Sequence, residues 1–148
     1  MPNACFIDTN LLLYSQDPNE PEKAQRVAEW LGALADLNAI IISPQVAKEY
    51  AHNIIRRFQH VTAERLLAEL AIMQPWCRAP TTYRTAMDGL KIHYRYKFSY
   101  YDSCLIASAL EYGCDMFLTE DMSHQQKIGD MRIVNPFAGE PYAFIERN

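Results

Sequence analysis

Four acidic side chains stand where a fold of strands and helices would bring them together. They are Asp8 after an apolar run, Glu49 on a predicted helix, Asp102 opening another helix, and Asp121 after a later apolar run. Carboxylates that gather in one place repel one another, which is costly unless a cation compensates. Carboxylates with retained water are the usual environment of Mg²⁺, so the pattern predicts a divalent-metal site.

Each of these acids also has an ordinary structural interpretation. Asp8 fits an Asx-type turn that ends a strand, and Asp121 fits a loop position for which Glu120 competes. Glu49 lies off the apolar stripe of its helix, where periodicity favours a solvated glutamate. Asp102 stands three residues after a serine, which is the spacing of a capping box. Only the joint pattern, two acids after strands and two on helices, favours the metal site.

The elements that would position these acids alternate between strands and helices. Short aliphatic runs predict the strands Ala4–Ile7, Ala39–Ile42, Asp115–Thr119 and Arg132–Val134. Helical spacing and cap residues predict five helices: over Glu22–Asp36, from Ser43-Pro44 onward, over Thr62–Met73, after Thr81, and from Ser99 to Gly113. In the third of these, Leu66, Leu67, Leu70 and Met73 are predicted to face inward. The alternation predicts an α/β fold with a parallel sheet covered on both faces. Ligand sites in such sheets lie beyond the carboxyl ends of the strands, where Asp8 and Asp121 would stand.

Length and composition are typical of one domain covering residues 1–148, in which the role of the tail 137–148 stays open. Nothing at the N-terminus resembles a signal peptide, and no apolar run approaches the ~20 residues that span a bilayer. The four cysteines match no zinc or CxxC spacing and are expected to be reduced thiols. We therefore expect a cytoplasmic protein with no membrane segment.

The net charge of −4 argues against a general nucleic-acid binder, so a positive surface would have to be local. Residues 81–101 contain four basic side chains against a single aspartate, with aromatic residues interleaved. Basic side chains can neutralise phosphates, and aromatic rings can stack on unpaired bases. The candidate substrate-binding residues are Lys91, Arg95 and Lys97, with Arg56 and Arg57 as weaker candidates on an earlier helix. An equal alternative is a helix with a solvated basic face and its aromatic side chains packed inward.

Three segments together resemble the main sequence blocks of the PIN-domain family, and the branch they resemble most is the VapC-type toxins of bacterial toxin–antitoxin pairs. The segments are Phe6–Asn10, Ser99–Leu110 and Phe117–Met122, and Gln45–Tyr50 is similar to the block that carries the family's glutamate. The resemblance runs from about Asn3 to Asn135, which is nearly the whole chain.

This resemblance implies a sandwich of helices around a parallel sheet of about five strands. It matches Asp8, Glu49 and Asp102 to the family's three core acids and Asp121 to its fourth. It also implies dependence on Mg²⁺ or Mn²⁺, cleavage of RNA, a homodimer, and inhibition by a small antitoxin protein.

The chemistry that follows is hydrolysis of phosphodiester bonds. One or two metal ions held by Asp8, Asp102 and Asp121 would polarise the phosphate and lower the pKa of water, while Glu49 would ligate through water or orient the nucleophile. Thr9 or Thr119 would help to order the site. A haloacid-dehalogenase-type phosphatase ranks low because it needs a second acid where Asn10 stands. The remaining alternative is a PIN-like module that binds RNA or protein without cutting.

Overall fold

A computed structural model describes residues 3–145, which form one five-stranded sheet with helices on both faces. The strands are β1 (Cys5–Ile7), β2 (Ile40–Ile41), β3 (Met116–Leu118), β4 (Lys127–Ile128) and β5 (Met131–Val134). Their spatial order is β2-β1-β3-β5-β4. All neighbouring strands pair in parallel except β4, which lies antiparallel to β5 at one edge. The predicted α/β sandwich around a largely parallel sheet is confirmed.

The helices are α1 (Thr9–Leu13), α2 (Pro21–Asp36), α3 (Pro44–Arg57), α4 (Ala63–Met73), α5 (Tyr83–Tyr96) and α6 (Tyr100–Tyr112). Proline occupies the first turn of both α2 and α3, where its missing N–H costs no intrahelical hydrogen bond. Gly113 ends α6 in the left-handed region with φ 95°, as its position in the sequence predicts. Lys97 ends α5 in the same region with φ 66°.

Three details differ from the sequence-based expectations. The short helix α1 begins directly after Asp8, where we expected a loop, and the two-residue strand β4 was not predicted. Both are too short to show a period. Leu67 was predicted to face inward and is 67% exposed, so that prediction is wrong. On α4 only Leu66, Leu70 and Met73 pack on the core, because the helix lies at the periphery of the molecule.

The C-terminal segment packs against α2. The indole Nε1 of Trp30 donates to the carbonyl of Pro136 at 3.1 Å and lies 3.3 Å from that of Gly139. The ring of Phe144 stacks on Trp30, and Ile145 is buried. Residues 137–145 therefore cover one side of α2. The rest of the tail, 146–148, lies outside the described residues.

The carboxyl ends of the central strands are level with one another. Ile7 pairs with Leu118, and Leu118 pairs with Val134. The backbone N–H of Asp8 donates to the Leu118 carbonyl at 3.0 Å, and that of Thr119 donates to the Val134 carbonyl at 3.0 Å. Asp8 and Thr119, the residues after β1 and β3, consequently stand at the same rim of the sheet.

Within the described residues, no helix is both long and apolar enough to cross a membrane. All four cysteines are free thiols, and only Cys77 is partly exposed. This agrees with the expectation that they are reduced and mostly buried.

Candidate active site

The structure brings the four predicted acids to one rim of the sheet. Burial is the largest cause of the raised pKa of Asp8, and the negative charges of Asp102, Asp121 and Glu49 raise it further. Burial is also the main reason that the pKa values of Glu49 and Asp102 are raised. The charge of Asp102 raises the pKa of Glu49 further, and the charge of Asp121 raises the pKa of Asp102 further. Distant charges in water would be screened, so these effects indicate that Glu49, Asp102 and Asp121 lie near Asp8 in a shared, partly dehydrated site.

Asp8 is the buried member of the set, with 3% of its surface exposed. Although it occupies the N-cap position of α1, its carboxylate caps no backbone N–H, so the turn interpretation does not describe it. Its Oδ2 accepts instead from the hydroxyl of Thr119 at 2.8 Å. The balance of burial, this hydrogen bond and the neighbouring acids raises the pKa of Asp8 to about 7.

The buried Thr119 joins two of the acids. While its hydroxyl donates to Asp8, its Oγ1 accepts from the backbone N–H of Asp121 at 3.1 Å. Of the two threonines proposed to order the site, Thr119 is the one that forms hydrogen bonds with the acids. The Oγ1 of Thr9 is buried without a hydrogen-bond partner among residues 3–145.

The geometry separates Asp121 from its neighbour Glu120. The Asp121 carboxylate lies close enough to Asp8 and Asp102 to raise their pKa values, and it accepts from the side-chain amide of Asn10 at 3.1 Å. Glu120 instead forms an ion pair with Lys23 at 3.0 Å and a hydrogen bond with the hydroxyl of Tyr14. Since Glu120 is neutralised by its own cation, Asp121 is the better fourth candidate.

Glu49 lies at the edge of the buried side of α3 and is neither in the core nor fully solvated. Its Oε1 accepts from the side chain of Gln45, one turn earlier, at 2.8 Å. The same Gln45 amide lies 3.0 Å from the carbonyl oxygen of Tyr101 in the first turn of α6. Gln45 thus connects the helix that carries Glu49 to the one that carries Asp102.

Asp102 combines the two roles considered from its sequence position. Ser99 is the N-cap of α6, and its hydroxyl accepts from the backbone N–H of Asp102 at 3.2 Å. The Ser99 side chain also hydrogen-bonds to the Asp102 carboxyl group and lowers its pKa, against the larger effect of burial, which raises it. The helix start fixes the direction of the side chain, as an ordered acid in a shared site requires.

The donor set fits a hard divalent cation in its chemistry. It consists of carboxylate oxygens, and burial together with neighbouring negative charge raises the pKa of Asp8, Glu49 and Asp102. A dication would relieve the repulsion among them. Among residues 3–145, however, no three His, Cys, Asp or Glu side chains are already arranged to hold a metal ion. Side-chain adjustment on binding would therefore be needed.

The predicted basic residues lie outside the acid cluster. Lys91 is exposed on α5 and pairs with Asp88 at 3.8 Å, while Arg95 lies over the ring of Tyr96 and Lys97 over that of Tyr94. Tyr94 and Tyr101 are exposed, whereas Tyr96, Phe98 and Tyr100 are partly buried, so neither sequence-based alternative describes the whole segment.

Arg56 is exposed in the last turn of α3. Its neighbour Arg57 lines a polar cavity of about 200 Å³, which the acid cluster adjoins through Asn10. The other lining residues are Leu13, Tyr14, Asp17 and Glu120.

Gln45 and Asn10 were not predicted from the sequence as site residues. Gln45 stands four residues before Glu49, a spacing that places the two side chains on one helix face, so this signal was present in the sequence. The contact between Asn10 and Asp121 joins residues 111 positions apart and had no such signal.

The sequence matches the PIN domain over residues 5–129, and the chain belongs to the PIN-domain family. Members of this family are generally nucleases. Comparison of the sequence with the curated proteins found no match.

The structure is similar to a chain of VapBC2 from Rickettsia felis, which was crystallised bound to a DNA fragment from its promoter. The TM-score is 0.61 at 14% sequence identity, and the match covers 89% of this chain and 98% of that one. At this level of identity, the similarity concerns the fold.

Proposed function

We propose that this protein is a divalent-metal-dependent endoribonuclease and the toxin component of a VapC-type toxin–antitoxin pair. The observation that carries the proposal is the convergence of four acids at one rim of the sheet, where the charges of Asp102, Asp121 and Glu49 add to burial in raising the pKa of Asp8. Structural acids scattered over a surface would not be coupled in this way. Membership of the PIN-domain family and a fold similar to VapBC2 support the same function.

Asp8, Asp102 and Asp121 are the proposed ligands of Mg²⁺ or Mn²⁺. The bound ion would polarise the scissile phosphate and acidify water. The protein's own contribution is orientation: Thr119 fixes one oxygen of Asp8, Asn10 holds Asp121, and Gln45 holds Glu49 where it can orient or deprotonate the attacking water. Attack by water predicts products with 5′-phosphate and 3′-hydroxyl ends.

The partners proposed for this chain are a single-stranded RNA substrate, a small antitoxin protein and a second copy of the chain. The similarity in fold to VapBC2 supports the proposal of an antitoxin partner. The proposed RNA contacts are Lys91, Arg95, Lys97 and Arg56, together with Arg57, which lines the polar cavity beside Asn10.

The decisive experiment is cleavage of end-labelled single-stranded RNA with Mg²⁺, with Mn²⁺ and with EDTA. We expect Asp8→Asn and Asp102→Asn to lower the rate at least about 100-fold, since the charge they supply to the site is lost. Asp36→Asn, an exposed acid at the end of α2, is the matched control and should cleave normally. Wild-type activity in either site variant, or full activity in EDTA, would exclude the proposal.

A second pair of variants identifies the fourth acid. Asp121→Asn should reduce cleavage strongly and weaken the response to Mg²⁺. Glu120→Gln should leave the metal response unchanged, because Glu120 is paired with Lys23 and Tyr14. If Glu120→Gln weakened the response to Mg²⁺ and Asp121→Asn did not, Glu120 would be the fourth acid of the site.

A non-catalytic PIN-like module that binds RNA or protein is the second candidate. It is favoured by one observation: no group of three acids in the described part of the chain is ready to hold a metal ion. RNA binding without cleavage at any Mg²⁺ or Mn²⁺ concentration, with no thermal stabilisation by either ion, would support this alternative.

A further inference from the structure

The polar cavity beside the acid cluster contains charged groups that the proposed metal site does not use. The residues that line this cavity of about 200 Å³ are Asn10, Leu13, Tyr14, Asp17, Arg57 and Glu120. We call it the Arg57 cavity. The side-chain amide of Asn10, which lines it, donates to Asp121 at 3.1 Å. A group bound in the cavity would therefore lie next to a phosphate bound at the acids.

The guanidinium group of Arg57 is available to a ligand. Its Cζ lies 5.1 Å from the centroid of the Phe58 ring, a contact that restrains the cation and uses none of its N–H groups. Within residues 3–145, Arg57 forms no ion pair and no side-chain hydrogen bond. Its planar fork of donors can therefore bind two acceptors at once.

The cavity also offers one carboxylate that no cation neutralises. Oδ1 of Asp17 accepts from the backbone N–H of Asn19 at 2.9 Å, an Asx turn that fixes the side chain. In the part of the chain that the structure describes, Oδ2 of Asp17 has no donor and the carboxylate has no ion pair. Glu120 differs, because Lys23 pairs with it at 3.0 Å. Asp17 is consequently the acceptor that a ligand would use.

We propose that the Arg57 cavity binds one guanine base of the RNA, belonging to the nucleotide next to the scissile phosphate. The proposal rests on the RNA substrate of the proposed function and adds the base that is recognised. Guanine presents O6 and N7, the acceptor pair that arginine binds bidentately, to Arg57. Its N1–H and N2 amino donors lie on the Watson–Crick edge, which proteins read in unpaired RNA, and Asp17 can accept from them.

The charge of the cavity favours a base over a phosphate. The opposite charges of Arg57 and Asp17 balance, so a neutral group with both acceptors and donors is complementary to them. A phosphate would attract Arg57 but would be repelled by Asp17. The volume of about 200 Å³ is below the roughly 300–1,000 Å³ of sites for drug-sized ligands, as expected for one base without its sugar and phosphate.

Adenine fits the same groups less well than guanine. It carries an amino donor where guanine has O6, so Arg57 would meet a donor in place of an acceptor. Adenine is bound best by a side-chain amide that contacts its N6 and N7 together. The amide in this cavity belongs to Asn10, whose Nδ2 already donates to Asp121.

Replacement of single groups of guanine tests each contact in the unaltered protein. The substrates are end-labelled oligouridines with one central guanosine, inosine, 7-deazaguanosine or adenosine, cleaved in Mg²⁺. Inosine lacks the N2 amino group, and 7-deazaguanosine lacks the N7 acceptor. Relative to guanosine, we expect kcat/KM for cleavage beside the central nucleotide to fall at least about 10-fold with inosine or adenosine and about 5-fold with 7-deazaguanosine.

Two variants assign these losses to their partners. Asp17→Asn keeps an oxygen for the turn at Asn19 and should reduce the inosine penalty to within about 2-fold, since the contact is already lost. Arg57→Ala should do the same to the 7-deazaguanosine penalty and retain that of inosine. Arg56→Ala and Asp36→Asn are the matched controls for the base preference. Neither residue lines the cavity, so both variants should keep the wild-type ratios between substrates.

Three results would overturn the guanine site while leaving the nuclease function intact. The first is equal cleavage beside all four central nucleotides. The second is a guanosine preference that is unchanged in both Asp17→Asn and Arg57→Ala, which would place base recognition outside the cavity. The third is an equal loss on every substrate in Arg57→Ala without any inosine penalty in the wild type, which would make Arg57 a phosphate contact.

Binding of the same oligonucleotides in EDTA, followed by fluorescence anisotropy, separates the site from catalysis. If no RNA is cleaved in Mg²⁺ or Mn²⁺, but guanosine binds at least about 10-fold more tightly than inosine and Asp17→Asn removes this difference, the nuclease proposal fails and the guanine site is supported. If none of the oligonucleotides binds, both the guanine site and the RNA substrate are wrong.

Discussion

Asp8→Asn should make the metal-free protein more stable at alkaline pH while removing its activity. Burial is the main reason that the pKa of Asp8 rises from 3.8 to about 7, and neighbouring acids add to it against the hydrogen bond from Thr119. Asparagine resembles the protonated carboxyl group because it is neutral and its Oδ1 can still accept from Thr119. The variant therefore removes the cost of a buried negative charge at little cost in packing.

The magnitude and sign follow from linkage. Asp8 ionises near pH 3.8 in the unfolded chain and holds its proton to about pH 7 in the folded one. Between these values the folded state binds more protons, so the free energy of unfolding falls as the pH rises. Each pKa unit is worth about 1.36 kcal/mol, so the difference between 3.8 and about 7 corresponds to about 4 kcal/mol. The folded wild type loses this full amount of stability above pH 7.

Urea denaturation in EDTA at pH 8 and pH 4.5 measures this difference. At pH 8 we expect the free energy of unfolding of Asp8→Asn to be up to about 4 kcal/mol higher than that of the wild type. In thermal denaturation the same difference would raise the Tm by roughly 8 °C or more. At pH 4.5 the two should agree within about 1 kcal/mol, because Asp8 is then protonated in the folded wild type. Asp36→Asn, on an exposed helix end, should change little at either pH.

Adding Mg²⁺ should reduce the difference at pH 8. Saturation to about 100 times the dissociation constant would stabilise the wild type by about 2.7 kcal/mol and leave Asp8→Asn unaffected. If Asp8→Asn is equal to or less stable than the wild type at pH 8 in EDTA, the buried-charge reasoning is refuted, whatever the nuclease assay shows.

Gly89→Ala should destabilise the protein by about 1–3 kcal/mol in urea denaturation, since the new Cβ would lie 3.1 Å from the Cα of Cys104 and 2.6 Å from its Sγ. Gly32→Ala on α2 meets nothing within 4 Å and should stabilise the protein by up to about 1 kcal/mol; a loss at Gly32 equal to that at Gly89 would contradict the packing argument. Gln45→Ala should lower the cleavage rate about 10-fold without changing the unfolding curve, because Glu49 loses the side chain that orients it; an unchanged rate would show that Glu49 needs no such support. Charge reversal at Lys91, Arg95 and Lys97 should weaken RNA binding and reduce its salt slope by about one for each phosphate that the protein no longer neutralises; an unchanged slope would remove these residues from the RNA path. Arg57→Ala should weaken RNA binding more than Arg56→Ala does, because Arg57 lines the cavity beside Asn10, and equal effects would exclude the cavity from the RNA path.

The strands that carry the site could be predicted because they are buried on both faces. Cys5–Ile7 and Met116–Leu118 are continuous apolar runs, and the polar residue that follows each run shows where the strand ends. The edge strand β4 has one exposed and one buried residue, too little to distinguish from a turn. Leu67 is an error of the opposite kind, a residue predicted to be buried that is not. Its apolar side chain follows the helical period of α4, yet it is 67% exposed.

The hydrogen bonds that orient the acids could not be predicted in the same way. Thr119 and Asp8 are 111 positions apart, and their contact depends on β1 and β3 being paired in one register. A shift of one residue would turn each side chain to the other face of the sheet. The sequence identified Thr119 as a candidate through its neighbour Asp121, while its role as a bridge between two acids needed the register.

Glu49 shows why periodicity alone misjudges an acid that belongs to a partly buried cluster. Its angular position off the apolar stripe of α3 favoured a solvated side chain, yet Glu49 is partly buried, held by Gln45 and sensitive to the charge of Asp102. A periodic pattern distinguishes core from solvent, whereas the role proposed for Glu49 needs a side chain at the boundary between them. There the carboxylate is partly dehydrated and can still be reached by water. A polar residue at the edge of an apolar stripe, with a partner four residues away, is therefore a stronger functional signal than one at the centre of either face.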